Sequence, residues 1–357
     1  MDIAIDVSPL IDARNLAHRV RGTGFYIENL KKSLLQYYPR NKYTFFTRGE
    51  NLPKDTDLVH YPYFEPFFLT LPIYKKYKTI VTVHDLTPLV FPKFFPRGIK
   101  GELKWQLQKI ALRRADAIIT DSQSSKKDIV KKAGISDSKI NVVYLAATES
   151  FRKFNPFDRR IAKVKKKFGL PDKFILYVGD VTWNKNLPRL VEAVNKINLP
   201  LVMAGKALVD KYFDKTNPWN QDLIKVQELA KGRNNIFSLG FVETEDLVSL
   251  YNSATLFTMP SIYEGFGLPI LEAMQCGCPV VTTKEGSIRE VTGEAGFYVD
   301  AYDINDISNG IKKVFTSDTL GEELSKKGII QAKKFSWEKT AEETLNVYKK
   351  VVMDATI

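Results

Sequence analysis

The sequence predicts an α/β fold in two domains, each built on a parallel sheet, and three observations predict it. A chain of 357 residues is long for a single hydrophobic core, and chains of this size usually divide. Strand-like and helix-like stretches alternate from end to end, the pattern of parallel strands joined by crossover helices. That rhythm is interrupted once, by a polar, basic stretch over 150–169 containing Asn155-Pro156, and then restarts. The stretch reads as a linker followed by the first helix of a second domain. The expected domains are therefore 1–155 and 165–335, facing each other across a cleft.

In the first half, β-rich runs fall at 2–7, 43–47, 58–61, 79–83 and 117–120, with helical patterns at 25–36, 99–114 and 124–132. In the second half the runs are 174–178, 199–203, 236–239, 256–259 and 279–283, with helices expected at 187–196, 223–230, 244–253 and 269–276. Ligands of such sheets lie beyond the carboxyl ends of the strands, so the residues there carry the functional reading.

Hydrophobic residues make up 44% and charged residues 26% of the chain, as in ordinary soluble proteins. No apolar run approaches the ~18 residues that a membrane span needs. The opening MDIAIDV has neither the basic lead nor the cleavage site of a signal peptide. Cys276 and Cys278 are too close for a framework disulfide, and the chain is expected to be cytoplasmic. The net charge of +12 lies wholly in residues 1–160, which hold 28 Lys and Arg against 16 Asp and Glu; the remainder holds 25 of each. This asymmetry points to an anionic partner for the first half, a membrane surface or phosphorylated lipid, or to a basic surface that is simply solvated. Nucleic acid is not expected, because no recognition motif accompanies the charge.

The most informative segment is 261–274, SIYEGFGLPILEAM, directly after the strand 256–259. Gly265 and Gly267 permit a sharp turn and close approach of a ligand to the backbone. Pro269 suits the first turn of a helix. A loop of this kind feeds a helix N-terminus, whose free N–H groups and dipole suit a diphosphate. Glu264 stands before the helix and Glu272 inside it, placed for sugar hydroxyls and a ribose diol; a plain strand-turn-helix with two surface glutamates is the alternative.

Taken with other stretches, this segment resembles the E-x7-E segment of retaining glycosyltransferases of family 4, the group 1 glycosyl transferases, which have the GT-B fold of two Rossmann-like domains. Arg21-Gly22-Thr23-Gly24-Phe25-Tyr26 is similar to that family's N-terminal glycine loop, and Val83-His84-Asp85-Leu86 to its His-containing loop. Tyr177-Val178-Gly179 with Lys185-Asn186-Leu187 is similar to its donor-phosphate loop; Leu201-Val202-Met203-Ala204-Gly205 and Cys278-Pro279-Val280-Val281 also fit. The match runs from about residue 3 to 345.

The resemblance implies that Glu264 contacts the transferred sugar, Glu272 the nucleotide ribose and Lys185 the diphosphate. His84 would face the sugar or the acceptor. Gly22, Gly24, Asn186, Gly205, Gly265, Phe266, Gly267 and Leu268 would line the donor. It also implies hexosyl transfer, with mannose ahead of other sugars, from GDP-mannose or a UDP-hexose to a lipid-linked or polysaccharide acceptor of the cell surface, peripheral to the inner membrane face. A helix over about 337–357 would cross back to the first domain. In many members an arginine accompanies the lysine, whereas this chain has Asp180 and Asn184 there. A weakly catalytic sugar-nucleotide-binding protein is therefore the alternative, unless Lys206 or Arg189 substitutes.

Four further features complete the reading. A structural His84 held by Asp85 is the competing account of that residue, and Ser122 is expected to cap a helix. Asp55-Thr56-Asp57 has the D-x-D form of metal-dependent transferases but precedes its strand, so turn chemistry is expected and no catalytic metal or other cofactor. In the segment 94–114, Ile99, Leu103, Leu107 and Ile110 form one helical stripe flanked by Lys100, Lys104, Lys109 and Arg113, as in a helix lying on an anionic interface. Packing of that stripe on the core is the alternative, and Trp105, off the stripe, favours it.

Overall fold

A computed structural model describes residues 1–11 and 20–353. They fall into two compact units. One comprises 1–92, 97–146 and the stretch from Phe335 onward; the other comprises 93–96 and 147–334.

The first unit is a six-stranded parallel sheet of β1 (Asp2–Asp6), β2 (Lys42–Phe46), β3 (Leu58–Tyr61), β4 (Lys78–Thr82), β5 (Ala117–Thr120) and β6 (Ile140–Val142), in the order β2-β1-β3-β4-β5-β6. The second repeats the plan with β7 (Ile175–Val178), β8 (Leu201–Ala204), β9 (Ile236–Ser238), β10 (Leu256–Met259), β11 (Val280–Thr282) and β12 (Gly296–Tyr298), ordered β12-β11-β10-β7-β8-β9. Central strands such as Leu256–Met259 and Leu201–Ala204 are buried along their whole length. That is why they read as continuous apolar runs and not as alternating ones.

Sequence reading missed β6 and β12. Both are three-residue edge strands, and β12 is only half-buried throughout. Covered on fewer sides, they need less apolar character and carry a weaker signal.

Each sheet has one topological switch. After β7 the chain builds outward through β8 and β9, then returns to the other side of β7 with β10. The loops leaving β7 and β10 therefore start from adjacent strands although far apart in sequence, and such a switch is where open α/β sheets bind ligands. In the first unit the same reversal lies between β1 and β3.

Gly22 and Gly24 are not in a loop before a helix. They lie in the first turns of a helix that runs Val20–Tyr37, five residues earlier than the sequence implied. Interior glycine disfavours a helix by about 1 kcal/mol relative to alanine. Burial of Tyr26, Ile27, Leu30 and Leu34 on one face outweighs that preference. A side chain at Gly22 would meet nothing within 4 Å, so packing does not require glycine there.

The helix Trp337–Met353 belongs to the first unit, where Tyr348 Oη lies 2.6 Å from His60 Nδ1 and Thr340 Oγ1 donates to the Tyr144 carbonyl at 2.7 Å. His60 Nε2 meets Thr82 Oγ1 at 2.8 Å, and Thr82 Oγ1 meets Tyr26 Oη at 3.1 Å. This buried polar chain joins two strands to two helices.

Burial, with a contribution from nearby His84, pushes the His60 pKa down to about 3. The unfolded chain therefore takes up a proton near pH 6.5 that the folded chain refuses, so this stability is complete above about 6.5 and declines as pH falls toward 3. Between pH 6.5 and 5, His60 should account for a loss of about 1.5 kcal/mol. Urea unfolding at the two pH values should show this difference in the wild type and a clearly smaller one in His60→Gln; equal slopes would contradict the assignment.

Candidate active site

The loop 260–267 leaves β10 and turns into the helix Leu268–Gln275 through Gly267, whose φ of +98° is easily reached only without a Cβ. The loop is clamped from two sides. From the β7 side, the Asn184 carbonyl accepts from Ile262 N–H at 2.7 Å and Asn184 Nδ2 donates to the Tyr263 carbonyl at 2.9 Å. From the β11 side, Thr283 Oγ1 donates to the Ser261 carbonyl at 2.7 Å, and the Ser287 hydroxyl sits 2.9 and 3.0 Å from the carbonyls of Glu264 and Phe266. Gly286 has φ +60°, and a Cβ there would fall 2.8 Å from the Glu264 carbonyl oxygen. The backbone at Glu264 is thus fixed by contacts on both faces, and Gly265, Phe266 and Gly267 are buried with it, Leu268 half-buried.

Lys185 ends the short 3-10 turn Trp183–Lys185 in the loop that leaves β7. Its Nζ lies 2.9 and 2.7 Å from the two carboxylate oxygens of Glu264. The Glu264 side chain is 7% exposed and that of Lys185 21%. Sequence reading assigned these residues separate duties, one on a phosphate and one on a sugar; the fold brings them into one ion pair at the switch point. Burial, reinforced by the charges of Glu264 and Asp180, holds the Tyr177 phenol well above its ordinary pKa. Its hydroxyl donates to the Asp180 carbonyl at 2.8 Å.

Asn186, expected to line the donor, has its side chain engaged by the protein. It adopts φ +60°, is 1% exposed, donates to the carbonyls of Pro260 (2.9 Å) and Ala301 (2.6 Å) and accepts from Arg189 at 2.8 Å. With its amide hydrogens used in this way, Asn186 ties the loop after β7 to Pro260 and Ala301. Gly205 also meets a packing demand: a Cβ would fall 2.1 Å from the Gly179 carbonyl oxygen, so glycine lets the loops after β7 and β8 approach. Asn184, where an arginine was expected, is buried as the clamp described above, and Asp180 is exposed. Of the two suggested substitutes, Arg189 is held by Asn186, while Lys206 is exposed directly after Gly205.

Glu272 lies in the second turn of its helix, half-buried, and accepts from Tyr251 Oη at 2.9 Å. Burial pushes its pKa up to about 8, against the opposing hydrogen bond from Tyr251. Near neutrality the carboxyl is therefore mainly protonated.

In the first unit, His84 follows β4, and its Nδ1 lies 2.7 Å from Asp121 Oδ2. Asp85, the partner considered from sequence, instead accepts from Thr87 N–H at 2.8 Å. Asp121 follows β5, the strand beside β4, so sheet order supplies a partner 37 residues away that local sequence does not. Burial alone would lower the His84 pKa; the charge and hydrogen bond of Asp121, with Asp85 and the Pro62 carbonyl, outweigh it and hold the pKa above the ordinary value. Tyr26 packs edge-on against the ring at 4.9 Å. Ser122 caps the next helix as expected, accepting from Ser125 N–H at 3.0 Å. The D-x-D acids have structural partners: Asp57 accepts from the Asp2 amide at 2.8 Å and Asp55 pairs with Lys42 at 3.1 Å.

Residues 158–335 match the family model described as glycosyl transferases group 1, and residues 8–147 match glycosyltransferase family 4. The O-antigen chain mannosyltransferase B of Escherichia coli is 32% identical over 295 residues, covering 82% of this chain and 75% of that protein. The serotype-specific mannosyltransferase WbdA of Escherichia coli is 29% identical over 286 residues, 78% of this chain. The chain spans about a third of WbdA's length (34%). Among solved structures, a sucrose-phosphate synthase from Thermosynechococcus elongatus superposes with a TM-score of 0.75 at 18% identity, over 99% of this chain and 100% of that one. Anabaena Alr3699/HepE in complex with UDP and glucose gives 0.71 at 16% identity, over 98% and 99%. Both share the fold. With two parallel six-stranded sheets, both family signatures in chain order and a 32%-identical relative matched over most of its length, the chain belongs to the GT-B glycosyltransferases of family 4, the group 1 glycosyl transferases.

Proposed function

We propose that the protein transfers a hexose, mannose first, from a nucleoside-diphosphate sugar with retention of anomeric configuration. GDP-mannose is favoured as donor over UDP-hexoses, and a lipid-linked or polysaccharide acceptor of cell-surface glycan synthesis as the recipient. The mannosyltransferase names of two Escherichia coli relatives support the sugar, and the UDP complex of a structural neighbour supports the donor class.

One observation carries the reading: the Lys185–Glu264 pair held at the switch between β7 and β10. A leaving nucleoside diphosphate gains negative charge as the glycosidic bond breaks. An ammonium group fixed beside it stabilises the transition state more than the ground state. Binding of the diphosphate draws Lys185 away from Glu264, which leaves a carboxylate available for the sugar. The clamps on the Glu264 backbone keep that carboxylate in place while its partner changes. No metal is required, because Lys185 supplies the cation and both D-x-D acids have structural partners.

Asn184 favours a second reading. As a buried clamp it leaves the diphosphate without the usual arginine, and a missing cation of this kind costs about a hundredfold in rate. Single-turnover assays with labelled donors separate a slow transferase from a protein that only binds.

Lys185→Ala is expected to lower turnover by about a hundredfold or more. Glu264→Gln should likewise depress kcat. Because it also removes one partner of a largely buried pair, thermal unfolding measured alongside must show the variant folded. Turnover within a few-fold of wild type in both variants would refute the site.

Glu272→Gln should chiefly raise the donor KM, by about 1–3 kcal/mol where the carboxyl is charged. The penalty should be larger at pH 9 than at pH 6.5, since below about 8 the wild-type carboxyl is already mainly neutral. A pH-independent penalty would contradict the ribose role. Full activity is expected in EDTA; loss that Mg²⁺ or Mn²⁺ reverses would contradict the metal-free reading.

A further inference from the structure

The helix Gly98–Arg113 buries the face opposite to its most hydrophobic one. Gly101, Trp105, Gln108, Ala111 and Leu112 pack inward, whereas Ile99, Leu103, Leu107 and Ile110 are 83%, 62%, 41% and 46% exposed. The spacing of these four, at i, i+4, i+8 and i+11, keeps them on one face. Two side chains explain the orientation. Trp105 has the largest apolar surface on the helix and is 5% exposed. Gln108 is fully buried because the loop 66–75 satisfies it: Oε1 accepts from Thr70 N–H, Thr70 Oγ1 and Leu71 N–H, each at 2.9 Å, and Nε2 donates to the Leu71 carbonyl at 3.2 Å.

Gln108 thereby fastens that loop along the helix, and the loop extends the apolar surface. Phe68, Leu69, Ile73 and Tyr74 are exposed, Tyr74 to 83%. Lys104 Nζ lies 5.4 Å from the Phe68 ring centre, and Arg114 donates to the Ile73 carbonyl at 3.4 Å. Eight of the nineteen exposed large apolar side chains among the described residues belong to this one helix and loop.

The rim of the surface is basic. The loop 66–75 and residues 98–114 hold six Lys and Arg against one acid, Glu102, which is +5 of the chain's net +12. Glu102 is engaged by Arg97 and Gln106. Lys100 and Lys104 flank the stripe on one side and Lys109 on the other.

We propose that this helix and loop form the docking surface by which the protein sits on an anionic lipid bilayer. The apolar stripe enters the headgroup boundary with the helix axis in the plane, while the flanking lysines meet lipid phosphates and their stems snorkel past the apolar side chains. Charge argues for lipid over a second copy of the chain, since self-association through this face would oppose two strongly basic surfaces. The proposal deepens the reading of a lipid-linked acceptor and rests on it only for its purpose. Vesicle binding is measured without donor, and transfer to a water-soluble acceptor without vesicles, so each can fail alone.

The test is co-sedimentation of the full chain with phosphatidylcholine vesicles with and without phosphatidylglycerol. Binding is expected only with the anionic lipid and should weaken as salt is raised. The double variant Leu103→Glu/Leu107→Glu should bind at least about tenfold more weakly, and Lys100→Gln/Lys104→Gln should lose about fivefold per lysine. All four positions lie outside the buried face, so thermal unfolding should not change. Ile330→Glu, at an exposed apolar position of the second unit, should bind like wild type. No binding to anionic vesicles, equal binding to neutral ones, or wild-type binding by either double variant would overturn the proposal. So would light scattering that shows a dimer which Leu103→Glu/Leu107→Glu dissociates while vesicle binding persists.

Discussion

The Lys185–Glu264 ion pair of the second unit depends on the joining of the loops that leave β7 and β10. Asn184 makes that joint, accepting from the Ile262 amide through its backbone and donating to the Tyr263 carbonyl through its side chain. Together with the Asn186 bond to the Pro260 carbonyl, it ties Lys185 and Glu264, 79 residues apart in sequence, to one framework. The strand order makes the joint possible, because the return of the chain beside β7 places the two loop origins next to each other. Asn186, Ser287 and Gly286 are the supports around it: an amide bridging two carbonyls, a hydroxyl between two more, and a glycine that leaves room for the Glu264 backbone. A buried ion pair needs supports of this kind, since its Coulomb energy offsets desolvation only when geometry is held closely.

In the first unit, buried polar side chains hold the C-terminal helix to the sheet. Tyr348, His60, Thr82 and Tyr26 form a chain of hydroxyl and imidazole contacts across four elements. Beside it, Asp121 keeps His84 basic in a setting that would otherwise make it less so. Two neighbouring histidines, His60 buried and His84 half-buried, are thereby driven in opposite directions, one by burial among hydroxyls and the other by a carboxylate. The neutral one serves the fold. The basic one, at the carboxyl end of β4, has its orientation set by Asp121.

The helix Gly98–Arg113 illustrates where pattern reading reverses. Its apolar stripe has the spacing of a core face, and Trp105 lies off it, so hydrophobic periodicity favours burying the stripe. The fold buries the face with Trp105 and Gln108. Periodicity counts apolar residues but not the four hydrogen bonds that make a buried glutamine acceptable.

By itself the sequence determined the α/β class, ten of the twelve strands among the described residues and the two loops that meet at the switch. Each of these is encoded locally, in continuous apolar runs, in Gly and Pro punctuation, and in Glu264 and Lys185 at strand ends. Tertiary structure alone decided which of those residues touch. That Lys185 pairs with Glu264, that His84 pairs with Asp121 and not the adjacent Asp85, and that Asn184 and Asn186 are struts are consequences of strand order, which neighbouring residues do not specify. It also decided the helical start at Val20 and the short edge strands β6 and β12, where burial supplied by other elements outweighs or replaces local preference.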